Sequence, residues 1–363
     1  MEEKLYQLAL ELIPGIGDVN AKNLIAYCGS ASAIFTSKVS HLKKIPGIGA
    51  EKIEALTSSE YLSKAEAILK DCGKKEINIY HYTDKDYPTK LKQVADAPNI
   101  IYAKGSINEW TRVLGIVGTR NATEYGQAVT TKIVEDCKSL NVVIVSGLAY
   151  GIDITAHRAA LKNNIPTIGV LAGGLDKIYP ALHKKNAQEM LEHGGLISEN
   201  PPGTKPEAHF FPARNRIIAG MSDAVIVVEA AKKGGALITA NIADSYNKTV
   251  FAVPGDLDNK YSEGCNFLIR NQKALLFTGV NDLRYHLNWD DDSQASQAAP
   301  DYSSLSEEDQ KIVAALSENK AGVPIDELAW KTQITVNQLA SNLLTLEFSG
   351  LVKSLPGKKY KLC

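Results

Sequence analysis

No stretch of this 363-residue chain approaches the roughly 20 consecutive apolar residues that cross a bilayer, and the opening MEEKLYQLAL has no basic segment ahead of an apolar one. Neither a membrane span nor an export signal is expected, and the expected location is the cytoplasm. Cysteine is scarce and unpaired: five residues, at 28, 72, 137, 265 and 363, show no CxxC or Cys/His spacing of a zinc or redox site. A disulfide framework is therefore not expected, and no metal is assigned. There is no G-x-x-x-x-G-K-[ST] phosphate loop, no carboxylate cluster of the two-metal type and no nucleophile beside a matched base. The chain is read as a non-enzyme with no cofactor and no catalytic residue. An excess of one charge is also missing: 40 Lys and Arg face 41 Asp and Glu, a net charge of −1. Any polyanionic partner must then be met by local patches rather than by the whole surface.

What is present divides into three parts and a linker. Residues 1–75 carry an internal echo, Ile13-Pro14-Gly15-Ile16-Gly17 and Ile45-Pro46-Gly47-Ile48-Gly49, each between helical stretches. Such glycines turn the chain tightly between two helices and leave amides at the second helix free for a phosphate. Lys22 and Lys52 fall in the second helices, read as matching positions, and would supplement those amides; a purely structural corner is the other reading. Residues 76–287 switch to short β-branched runs, at 113–117, 142–145, 167–171, 196–198, 224–228 and 249–253, separated by glycine turns and helices. That alternation predicts an α/β fold, an extended Rossmann-like parallel sheet whose post-strand loops share one rim. Residues 288–301, acidic and without period, read as a linker. Residues 302–363 fit three helices and a two-stranded wing, a winged helix whose third helix has neither Lys nor Arg.

The rim loops carry the candidate binding residues. Gly118, Thr119 and Arg120 follow the first core strand, with Thr123 as a helix N-cap; Ser146, Gly147 and Gly151 follow the second. Gly173 and Gly174 follow the third, then Tyr179, Lys184 and Lys185. These residue types suit phosphates: glycine allows close approach, hydroxyls and guanidinium forks donate. Asp153 and His157, four apart on a helix, allow an acid–base reading, although helix capping is the commoner use.

The segment FPARNRIIAGMS, residues 211–222, places Phe211, Arg214, Asn215 and Arg216 at a helix start. Positions two apart on a helix diverge by about 200°, so both arginines do not grip one phosphate. One of them is expected to pair with a carboxylate such as Glu199, Asp223 or Glu229.

The ordered set GTRNATEYG, SGLAYGIDITAH, GGLDKIYP, SENPPG, FPARNRIIAGMS, VVEAAKKGGALITA and VFAVPG resembles the DNA-processing protein A (DprA/Smf) family across residues 77–287. The resemblance implies a helix-hairpin-helix or SAM-like N-terminal domain, an extended Rossmann domain and a winged-helix domain. It implies a homodimer that binds single-stranded DNA, protects incoming strands in natural transformation, displaces single-strand binding protein and loads the RecA recombinase. The sequence departs from the usual pattern at Gly234, Asn247-Lys248 and Asn271-Gln272. A rival reading, a Rossmann-type nucleotide-binding enzyme or sensor, would centre on Glu229.

Overall fold

The computed structural model describes residues 2–107, 110–289, 305–317, 322–355 and 358–362; most of the expected linker, residues 290–301, lies outside them. Internal contacts divide the chain into two units, Met1–Asp292 and Ser293–Cys363.

The first unit is built on a nine-stranded sheet. Its strands are β1 (Asn78–His81), β2 (Ile100–Gly105), β3 (Arg112–Val117), β4 (Val142–Ser146), β5 (Thr167–Val170), β6 (Gly194–Ser198), β7 (Ala224–Val227), β8 (Thr249–Ala252) and β9 (Leu275–Leu276). Their order is β1-β2-β6-β5-β4-β3-β7-β8-β9. From β6 to β9 every pairing is parallel, and the β1–β2 hairpin adds on antiparallel through β2 against β6. The β1–β2 pair and β9 lie outside the six runs that the sequence marks: β1 and β2 are separated by the helix Thr89–Lys92, and β9 is only two residues long.

Alternating residues of each core strand feed opposite faces, as a period of two requires. Val113, Val143, Val145, Val225 and Val227 pack beneath the helices Phe210–Met221 and Gly235–Ser245. Leu114, Ile116, Ile144, Ile226 and Phe251 pack beneath Glu124–Asp136 and Ile152–Lys162. Both faces are covered, which is why these strands read as unbroken apolar runs. Strand order runs outward in both directions from β3 and β7. The loops after those two strands therefore part to either side and open a crevice at the carboxyl ends.

The six N-terminal helices do not stand apart from this sheet. Leu8 and Ala9 of the first helix, with Ala65 and Cys72 of the Glu60–Lys74 helix, share an apolar cluster with Leu148, Leu171 and Leu175 of the rim loops. Both PGIG turns form, with Gly15 and Gly47 at φ of +78° and +82°, a region that favours glycine. The lysines behave differently from expectation. Lys22 donates to Ala97 O (2.8 Å), against the sheet, while Lys52 donates to Gly47 O of its own turn (3.1 Å). The counterpart of Lys52 in the first turn is Asn20, which makes the same bond to Gly15 O.

In the second unit the helices Glu307–Ser317, Ile325–Thr332 and Val336–Phe348 enclose Ile312, Leu316, Leu328, Leu339 and Leu343. Strands Val352–Leu355 and Lys359–Leu362 form the expected wing, and Val323–Pro324 joins them as a third strand.

Candidate nucleic-acid interface

Arg214 lies at the centre of the rim, but not as a free cation. Its side chain is buried, and Nη1 donates to Gly147 O and to Val170 O (2.6 Å), the backbone after β4 and the end of β5. Nε donates to Asn215 Oδ1 at 3.2 Å. Burial lowers the Arg214 pKa and raises that of Asp153, and the opposite charge of each works against the other's shift. Gly147 makes room for this arrangement, since a Cβ there would lie 2.0 Å from Nη1. Arg214 thus ties the Phe210–Met221 helix to two strands while its guanidinium still forms part of the crevice wall.

Arg120 takes the exposed position. It has neither an ion pair nor a hydrogen bond among the described residues, and its guanidinium carbon stands 5.1 Å from the centre of the Phe211 ring. Phe211 in turn meets Tyr179 edge-on at 6.3 Å. Arg120, Ala149, Phe211 and Arg214 are common to two adjoining recesses. One, of about 460 Å³, is walled by Tyr150, Gly173, Lys177 and Tyr179; the other, of about 820 Å³, by Gly118, Thr119, Asn215 and the Gly235 helix start. Three cations and three aromatic rings face this surface, and the lining carboxylate, Asp153, is matched by Arg214. A chain of phosphates and flat bases meets charge and π-faces in such a groove.

The remaining sequence-derived candidates sort by geometry. Gly118, Gly151, Gly173 and Gly174 lie at the rim, but each is small because another backbone or side chain approaches it. At Gly151, φ is +75° and a Cβ would sit 2.2 Å from Thr119 O; at Gly118 it would meet Ile152, and at Gly174 Pro201 O. The glycines let loops pack on loops, which sets where Arg120 stands. Ser146 is fully buried and donates to Ile116 O (2.6 Å), so its hydroxyl is not offered to the crevice. Arg216 is a correction: it points away from the groove, bonded to Glu199, to Asp18 (3.2 Å) and to Asp96 O, and clamps the N-terminal helices to the sheet. Lys184 and Lys185 are exposed on the Lys184–Met190 helix and line neither recess. Asp153 and His157 do not meet. His157 bonds Thr167 Oγ1 (2.7 Å), and burial pushes its ring down to about 3. Glu229 is also committed: its carboxylate accepts from Thr123 N (3.0 Å) and Thr123 Oγ1 (2.5 Å), and it lines neither recess.

Two groove residues were missed, Tyr150 and Lys177. Both lie inside glycine-rich motifs, SGLAYG and GGLDK, whose glycines carry the stronger local signal.

The sequence pattern of the DNA recombination-mediator protein A family matches residues 78–288, which span all nine strands and every groove residue. The chain belongs to this family. The pattern of the DprA winged helix domain matches residues 296–358. Protein Smf of Synechocystis is 32% identical over 395 aligned positions, covering 99% of this chain and 98% of that protein. The DNA processing protein DprA of Bacillus subtilis is 43% identical over 207 residues, covering 56% and 70%. Among solved structures, DNA processing protein A of Streptococcus pneumoniae superposes with a TM-score of 0.65 at 30% identity, over 79% of this chain and 98% of that one. The DNA processing protein A of Helicobacter pylori, whose structure addresses a single-stranded DNA binding mode, gives 0.53 at 29%, over 59% and 96%.

Within this family of DNA recombination mediators the charge of the present groove is concentrated on the Rossmann rim. The Val336–Phe348 helix of the winged-helix unit has no basic residue, and four of the unit's lysines, Lys353, Lys358, Lys359 and Lys361, fall in the wing. No helix among the described residues is long and apolar enough to cross a membrane.

Proposed function

We propose that this protein binds single-stranded DNA along the rim between Arg120, Phe211 and Tyr179, and that it serves as a mediator that protects incoming strands and loads RecA in natural transformation. The observation that carries the reading is Arg120: an exposed guanidinium without a carboxylate, stacked on Phe211 at the mouth of a cationic, aromatic groove. Phosphates would meet Arg120 and Lys177, bases the rings of Phe211, Tyr179 and Tyr150. The family relationship supports the downstream role, with RecA and single-strand binding protein as partners in the cytoplasm. A homodimer fits the sheet edge, where β9 exposes Leu275 and Leu276; light scattering of the full chain should give twice its mass.

Fluorescence anisotropy with an unstructured oligonucleotide, its duplex and mononucleotides at two salt concentrations tests the groove. Arg120→Ala should weaken single-strand binding about tenfold, with little dependence on sequence, and lower the logarithmic salt slope by about 0.7. Unchanged strand binding would refute the assignment. Tight mononucleotide binding with indifference to the strand would instead favour a nucleotide sensor, although Glu229 is already bonded to Thr123.

A further inference from the structure

The last helix of the second unit, Val336–Phe348, uses only part of its circumference to hold that unit together. Leu339, Leu343 and Leu346 are buried in the unit's own core, and Gln338 and Asn342 on one flank donate to Glu308 (3.0 Å each). The outward face carries Val336, Ala340, Leu344 and Phe348, one every four residues and all exposed, Phe348 by 85% and Leu344 by 54%. Beside this row run Asn337, Ser341 and Thr345, exposed and uncharged, with Thr345 Oγ1 donating to Ser341 O (3.1 Å). The helix's one charged residue, Glu347, accepts from Ser354 N (3.2 Å) and Ser354 Oγ (2.6 Å) in the wing.

A face without a cation has nothing to set against phosphates, whereas an uncharged patch with a protruding aromatic ring has the composition of a protein contact. The order of side-chain sizes selects the partner. Rows of residues four apart lie along one another when two helices cross at about 50°. Run antiparallel about a twofold axis level with Asn342, two copies of this row set Val336 opposite Phe348 and Ala340 opposite Leu344, a small side chain facing a large one at every step. Run parallel and in register, Phe348 meets Phe348 and Ala340 meets Ala340, so one end is crowded and the middle is empty. A face free of charge also meets no like-charge repulsion from its own copy.

We propose that the Val336–Phe348 helix is a self-association surface, which pairs antiparallel with the same helix of a second copy of this chain through the row of Val336, Ala340, Leu344 and Phe348. Seven residues a side are about a third of those in a standard interface, so the contact is weak and reversible between free chains. It uses neither the groove nor the β9 edge and stands or falls independently of both.

Charge substitutions in the full chain test it. Val336→Glu and Phe348→Lys lie outside the unit's core, at helix ends whose dipole favours those signs, and each sets a charge against an apolar residue of the second copy. Combined in one chain, they bring the new carboxylate opposite the new ammonium of the other copy. In a dilution series followed by sedimentation, each single variant should dissociate at least tenfold more readily than wild type. The double variant, and an equimolar mixture of the two singles, should recover most of that loss. A carbodiimide joins touching carboxylates and amines without a spacer, so the treated double variant should give paired chains whose tryptic peptides are linked between positions 336 and 348. Within one helix those positions are roughly 18 Å apart, and such a link is therefore between copies. Equal helix content in circular dichroism certifies the fold of each variant. Absence of the 336–348 link, links from these positions only to the first unit, equal dissociation of wild type and single variants, or a double variant no better than the singles would overturn the pairing.

Discussion

Replacing Arg214 with leucine separates a buried strut from a surface ligand. In the folded chain this guanidinium satisfies Gly147 O and Val170 O, and its charge offsets that of Asp153, whose residue is 7% exposed. Leucine fills part of the volume but leaves the Asp153 carboxylate with backbone donors alone, Ala149 N at 3.4 Å and Gly147 N. Losing two buried hydrogen bonds and the nearby charge that offsets Asp153 costs about 3–5 kcal/mol, a large part of the roughly 5–15 kcal/mol that holds a domain folded. With a urea dependence near 3 kcal/mol per molar, the unfolding midpoint should fall by about 1–1.7 M. Adding Asp153→Asn removes the stranded charge, so the double variant should recover at least about 2 kcal/mol relative to the sum of the singles. Urea unfolding followed by circular dichroism, with strand affinity measured alongside, provides the cycle. A midpoint unmoved by Arg214→Leu, with strand binding lost, would show that the guanidinium acts as a free ligand and refute the strut.

Gly151→Ala should both destabilise and disable: the new Cβ, 2.2 Å from Thr119 O at a φ of +75°, forces the 118–121 loop outward and carries Arg120 with it. A loss above about 2 kcal/mol in urea, with weaker strand binding in anisotropy, is the expected pair of results. Glu11 offers a pH test. Burial pushes its carboxyl up to about 7, opposed by the Asn99 amide that donates to it and reinforced by Asp18. Because the folded value is the higher one, this group favours folding fully below its ordinary value of 4.5 and loses that contribution as pH rises through 7. Glu11→Gln should therefore be near neutral at pH 4.5 and stabilising by up to about 3 kcal/mol at pH 8, read as a shift in the thermal midpoint.

Helical geometry and strand periodicity made much of this molecule legible. The divergence of Arg214 and Arg216 follows from their spacing alone, and Arg216 is bonded to Glu199, one of the three carboxylates singled out beforehand. Thr123 caps its helix by accepting from Gly126 N (3.1 Å), as its place before the helical run implied. Glycine was harder to interpret, because a sequence shows that a side chain is absent without showing what fills the space. At Gly147 the neighbour is Arg214 and at Gly126 it is Glu229, each more than 60 residues away in the chain. The same holds for Ser146, whose hydroxyl turns to a neighbouring strand, and for Lys22, which turns to Ala97. Partners distant in sequence decide such cases, and local pattern does not contain them.

The pairing of β2 with β6 has a consequence for how the chain is made. β2 ends at Gly105, and the strand that covers its free side begins at Gly194, about 90 residues later. At ribosomal rates of about 5–20 residues per second, the β1–β2 hairpin waits roughly 5–20 s with that edge open. The first helix waits as long or longer, since Leu8 shares its cluster with Leu148, Leu171 and Leu196. For that interval the nascent polypeptide presents a naked strand edge and a bare apolar helix face together, with Lys104 as the charge on the open edge to discourage a wrong neighbour. The N-terminal third of the protein therefore emerges well before the segments that cover it.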